Sequence, residues 1–111
     1  MNTSALFEGK GSLSKDIYDR LIAVAELLGP VQQDPKQTCI HLNRRSAFAG
    51  VYVRNGYLLV EVKTDYPIDD PMVRKSQQLS RKRFHHQFRL DSPQQADSIA
   101  GWLKDAYALS G

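Results

Sequence analysis

The dipeptide Asn55-Gly56 constrains this chain more than any other feature. Both residues tolerate positive φ, so a two-residue loop here turns the backbone with the twist that antiparallel strands need. The flanking runs 46–54 and 57–63 are rich in β-branched and aromatic residues, which predicts a hairpin. A two-residue loop also fixes the register. Arg54 faces Tyr57, Val53 faces Leu58, Tyr52 faces Leu59, Val51 faces Val60 and Ala49 faces Val62. Ala49, Val51, Val53, Leu58, Val60 and Val62 then share one apolar face, and that face must be the core.

The remaining strands follow from the same alternation. Run 37–42 ends in the polar turn Asn43-Arg44-Arg45-Ser46. If that turn also has two central residues, Ile40 and Leu42 join the core face opposite Ala49 and Ala47, which extends the hairpin to a three-stranded meander. A fourth strand is expected at 84–90, where His86, Phe88 and Leu90 alternate with His85, Gln87 and Arg89.

Two helices flank the strands. Ser14 as cap, Asp16 in the first turn and the stop Gly29-Pro30 bound a helix at 15–28, whose stripe is Ile17, Leu21, Val24, Ala25 and Leu28. Ser92-Pro93-Gln94-Gln95 combines a capping serine, proline at the first helical position and a glutamine three residues after the cap. It opens a helix at 93–108 with Ile99, Trp102, Leu103 and Ala106 inward. Segment 64–83 holds Pro67, Pro71 and a basic run, and reads as a long connection with at most a short helix at 70–79. Residues 1–12 read as a tail anchored by Leu6 and Phe7, and 13–111 as a single α+β domain. The predicted architecture is a two-layer α-β-β-β-β-α fold, with an antiparallel four-stranded sheet and both helices on one face.

A chain of 111 residues, 41% hydrophobic, can close one modest core. The single cysteine, Cys39, leaves no internal disulfide and no Cys-rich zinc site, which favours a reducing compartment. The first ten residues do not read as a secretory leader, and no apolar run reaches the roughly 18–20 residues of a membrane span. The expectation is a cytoplasmic protein without a membrane partner.

With the helices on one face, the other carries Cys39, His41, Phe48, Tyr52, Arg54, Tyr57, Leu59, Lys63, His85, Gln87 and Arg89. Rings interleaved with cations on an open sheet are what single-stranded nucleic acids use. The same face could instead pack against segment 64–83 or against a second copy of the chain. No Asp or Glu lies between Asp70 and Asp91, while Arg74, Lys75, Arg81, Lys82, Arg83 and Arg89 do. Arg44 and Arg45 sit on a turn that could lie near them. Six such cations on phosphates would lower the logarithm of affinity by roughly 5 per tenfold rise in salt.

Signals for catalysis are sparse. His85 and His86 are strand neighbours and point to opposite faces, so they cannot share one metal ion. His41 with His85 gives two ligands and no third. Cys39 and His41 are two apart on one strand face, where a thiolate–imidazole pair is geometrically allowed. Asp65, Asp69 and Asp70 beside Glu61 and Lys63 faintly echo metal-dependent nucleases. Phosphate-cradling loops, nucleophile elbows and H-E-x-x-H are absent from the sequence.

The C-terminal third runs from Phe84-His85-His86-Gln87-Phe88-Arg89-Leu90-Asp91-Ser92 through Asp97 to Gly101-Trp102-Leu103 and Ala106-Tyr107. It resembles a bacterial family of unknown function whose members are often labelled transport proteins. Phe7 with Gly9-Lys10, Leu28-Gly29-Pro30, Thr38 with Ile40, and Arg44-Arg45 before Phe48-Ala49 extend the resemblance over most of the chain. Segment 64–83 and Phe84 depart from it. The order of elements is also similar to MmcQ/YjbR-like, frataxin-like proteins described as DNA-binding modules. By motif position the resemblance implies that Thr38, Arg45, His85 and His86 matter.

The expectation is a non-enzymatic module for nucleic acid or a nucleotide-like anion, without a cofactor. Arg44, Arg45, Arg81, Lys82 and Arg83 would meet phosphate, Phe48, Tyr52 and Tyr57 would stack, and Thr38, His41, His85 and His86 complete the candidate set. A homodimer through the open face is the alternative, followed by a hydrolase or nuclease using His85 or His86.

Overall fold

The Asn55-Gly56 hairpin forms with the expected register, Arg54 against Tyr57 through Ala49 against Val62. The computed structural model describes residues 4–111. In chain order the elements are α1 (Ser4–Phe7), α2 (Ser12–Glu26), β1 (Gln32–Pro35), β2 (Ile40–Asn43), β3 (Ala47–Arg54) and β4 (Tyr57–Thr64). They continue with β5 (Val73–Ser80), β6 (Arg83–Leu90), α3 (Pro93–Ser98) and α4 (Ala100–Leu109). The class is α+β, as expected, with an open antiparallel sheet. That sheet has six strands rather than four, in the order β1-β2-β3-β4-β6-β5.

Both added strands are edges, and both lie in segments that carry no alternating apolar pattern. Gln32 to Pro35 pairs with Asn43 to Ile40. Val73 to Ser80 forms a hairpin with β6 in place of the expected connection or short helix. An edge strand needs ladder hydrogen bonds on one side only and can stay wet on both faces. Seven of the eight residues of β5 are exposed, which is why hydrophobic periodicity does not reveal it.

The first turn also differs. Asn43 pairs with Ala47 and Leu42 with Ala49, so the turn is a residue longer than expected and one extra residue bulges out of β3. Ile40 and Leu42 still reach the core face, but they oppose Val51 and Ala49. The bulge turns Phe48 inward. It is completely buried, with its ring 5.3 Å from that of Tyr107 in an edge-on contact.

Helices α2 and α4 supply Ile17, Leu21, Ala25, Leu103 and Ala106 to the core facing Val51, Val60, Val62, Phe88 and Leu90. Ser14 does not cap α2. Its hydroxyl is buried, donates to the Arg54 carbonyl at 2.5 Å and accepts the Gly56 N–H at 3.0 Å, while Gly11 holds the N-cap position. The expected helix at 93–108 is interrupted at Ile99. Ser92 makes no side-chain cap bond; the Gln95 side chain accepts from the Asp91 N–H instead. Arg20 clamps α2 to α3 through both Asp97 oxygens. Gly29 must be glycine: its φ is 146°, and a Cβ there would lie 2.5 Å from the Tyr107 hydroxyl. Of the stretch read as a tail, residues 1–3 lie outside the described residues; Leu6 and Phe7 pack on the core, with the Phe7 ring 5.1 Å from Tyr18.

Candidate functional site

Residues paired across antiparallel strands share a face, so the ladder itself lays out the open side of the sheet. One row runs Asp34, His41, Gly50, Glu61, Gln87, Lys75 from β1 to β5. The row beside it runs Lys63, His85, Gln77 over β4, β6 and β5. Between the two rows, His85 Nδ1 lies 3.0 Å from Glu61 Oε1. The carboxylate accepts, so Nδ1 carries the proton and Nε2 of a neutral ring keeps its lone pair free.

Gly50 leaves a gap in this surface. Above it lies a depression of about 220 Å³ lined by His41, Tyr52, Glu61, Lys63 and His85. A second hollow of about 390 Å³ adjoins it, with Lys63, Arg83 and His85 on its polar side and Leu79 and Leu109 on its apolar side. Lys63 and His85 line both, which makes one continuous trough. Four of its side chains, His41, Lys63, Arg83 and His85, can carry positive charge, against one carboxylate already engaged with His85.

The structure brings together part of the expected set. His41, Tyr52, His85 and Arg83 line the trough. Arg81 and Lys82 are exposed in the turn joining β5 to β6, at the end of the strand that Arg83 begins. Tyr57 lies at the other end of the sheet, its ring covered by the Arg89 guanidinium 3.8 Å away. Thr38 is exposed beside a different hollow, with Gln37 and Lys10. Arg45 is exposed beside the C-terminus, its N–H donating to the Ser110 carbonyl at 3.3 Å.

Three members of the set are structural. Arg44 donates from Nη1 to the Tyr107 carbonyl at 3.1 Å and lies 4.5 Å over the Tyr107 ring, fastening α4 to the sheet. Phe48 belongs to the core. His86 is buried, with Nδ1 2.8 Å from Ser76 Oγ and Nε2 3.1 Å from Thr64 Oγ1. Glu61, Lys63 and Gly50 are the additions to the candidate site. The fixed hairpin register already put Gly50 opposite Glu61, and a glycine inside a strand marks close approach of another group.

Chemistry at Cys39 is unfavourable. Its thiol is buried and its pKa is raised, first by that burial and further by Glu61, so the thiolate is scarce. Asp70 is engaged in the turn before β5, its side chain accepting the Met72 N–H at 2.9 Å. Among the described residues, His85 has Glu61 as its side-chain partner. No group of three or more His, Cys, Asp or Glu among them could hold one metal ion. Among the same residues no helix is long and apolar enough to cross a membrane.

The model of the family described as "domain of unknown function (DUF5655)" matches residues 3–110, and the chain belongs to that family. The expected membership in a family of unknown function therefore holds, and the description names no activity. No curated protein and no solved structure matches the chain.

Proposed function

We propose that this member of the DUF5655 family is a non-enzymatic binding module for a phosphate-bearing partner, nucleic acid above all, engaged by the open sheet face and the β5–β6 hairpin. One observation carries the reading: six of the eleven Lys and Arg that meet no carboxylate among the described residues gather on β4 and the β5–β6 hairpin. Lys15, Arg20, Lys36 and Arg89 each sit within salt-bridge distance of a carboxylate. Lys63, Arg74, Lys75, Arg81, Lys82 and Arg83 pair with none among the described residues, and all lie on β4, the β5–β6 hairpin or its turn. Uncompensated like charges gathered on neighbouring strands raise a local positive potential, which attracts polyanions and gains from counterion release.

Stacking plays a smaller part than the sequence implies. With Phe48 in the core and Tyr57 under Arg89, Tyr52 is the ring left at the trough. Affinity therefore rests on charge. The two added edge strands depart from the four-stranded YjbR-like layout, so that analogy adds no weight, and the transport label finds no support in the site.

A homodimer through the open face is the second reading. Pairing through the β5 edge is disfavoured by the strand's own chemistry: Arg74 and Lys75 lie on it and its ladder is irregular at both ends.

A titration of the purified protein with labelled single- and double-stranded oligonucleotides at two salt concentrations tests the proposal. Micromolar or tighter binding is expected at low salt. With four to six phosphates met on a single strand, the logarithm of affinity should fall by about 3–4 per tenfold rise in salt. Absence of binding at low salt overturns it.

A further inference from the structure

Gly50 lies inside β3 between two paired strands, and nothing in the fold calls for glycine there. Its φ is not positive, and a Cβ built on it would meet no atom within 4 Å. Gly29, by contrast, is demanded by both conformation and contact. A glycine in a strand interior gives up backbone entropy and packing that a β-branched residue would supply. Its return here is a bare peptide surface at the floor of the depression.

The rim of that floor is chemically specific. Glu61 offers carboxylate oxygens, Tyr52 a hydroxyl, His41 and His85 ring nitrogens that donate or accept, and Lys63 an ammonium. Donors and acceptors around a flat floor suit the edge of a planar heterocycle. The cationic hollow begins at Lys63 and His85, where the floor ends. The two hollows together fall within the roughly 300–1,000 Å³ of small-ligand sites.

We infer that the depression over Gly50 seats one nucleobase of the partner, lying flat on the β3 backbone, while Lys63 and Arg83 hold the phosphate attached to it. The inference rests on the phosphate-binding reading above and deepens it: the trough takes a whole nucleotide unit, and charge is only half of what it recognises.

The test compares a single-stranded oligonucleotide with an abasic oligomer of equal length and phosphate number, on the full chain at low salt. Wild type should bind the base-bearing strand at least about tenfold more tightly, the contribution of one stacked base. Gly50→Leu should abolish that preference, bringing affinity for the base-bearing strand down to that for the abasic one. Gly50→Val, whose β-branched side chain suits a strand, should do the same and serves if the leucine variant melts early. Equal binding of the two oligomers by wild type would overturn the base seat while leaving the anion reading intact. A preference that survives in the folded variants would overturn it as well. If wild type binds neither oligomer, the proposed function falls and the seat with it.

Discussion

The hydroxyl of Ser76 lies 2.8 Å from Nδ1 of His86 and ties the edge strand to the buried side of its neighbour. The proton positions follow from the surrounding bonds. Thr64 donates its hydroxyl hydrogen to the Tyr66 carbonyl at 2.6 Å, so it can only accept from His86 Nε2. Nε2 therefore carries the proton, and Nδ1 accepts from Ser76. His86→Ala removes a buried ring and leaves Thr64 and Ser76 without their partner, at a cost of about 2–4 kcal/mol. His85→Ala, on the wetter face, should stay within about 0.5 kcal/mol. Denaturant unfolding of the two variants checks this; equal losses would mean that both histidines are structural.

Ser14 links α2 to the hairpin turn forty-two residues away in sequence, accepting from the Gly56 N–H and donating to the Arg54 carbonyl. Ser14→Ala removes the hydroxyl that donates to the Arg54 carbonyl, while the Gly56 N–H keeps its bond to the Lys10 carbonyl at 3.1 Å, and should destabilise by about 1–2 kcal/mol. The loss should appear as a lower denaturation midpoint with an unchanged slope, since the surface exposed on unfolding is the same.

What could be read in advance divides along the buried face. Register and core of the β3–β4 hairpin follow from Asn55-Gly56, because a two-residue loop leaves no freedom and a one-residue slip would expose every valine. Strict alternation carried back along β3 from the hairpin puts Phe48 on the open face, and one bulged residue at the start of the strand reverses it. Strands β1 and β5 escaped because an edge strand is held by backbone bonds that side-chain periodicity does not record. The candidate site is legible in placement only in part: alternation puts His41, Lys63 and His85 on the open face, but it does not show that Arg44 meets Tyr107 or that Glu61 meets His85.

The triple variant Arg81→Ala, Lys82→Ala, Arg83→Ala probes the charge that carries the proposed function. Arg81 and Lys82 are exposed at a turn and Arg83 is exposed at the start of β6, so the fold should be unaffected. Binding should weaken for every oligonucleotide sequence alike, and the salt slope for single strands should flatten by about 2, three contacts at roughly 0.7 each. Wild-type affinity with a wild-type slope would show that the hairpin does not touch the partner.

Tyr66 sets an alkaline limit to stability. Its hydroxyl donates to an Asp105 carboxylate oxygen on α4, and its pKa is pushed up to about 12, first by burial and then by Asp105 and Asp65. In the unfolded chain the same phenol titrates near 10. A folded pKa above the unfolded one means that the folded state holds the proton more tightly. The stabilising contribution is therefore complete below about pH 10 and is lost as pH rises through the window from 10 to about 12. Tyr18, fully buried and also raised first by burial, acts in the same direction, so a Tyr66 variant should soften the alkaline decline without abolishing it. Denaturant unfolding of wild type and Tyr66→Phe at a series of pH values from 8 to 12 reads this out. The phenylalanine variant should be less stable at pH 8, because the bond to Asp105 is gone, and its curve should converge on wild type as the phenol of Tyr66 ionises. Parallel curves across the whole range would place the alkaline sensitivity elsewhere and reduce the Asp105 contact to a surface hydrogen bond without consequence for folding.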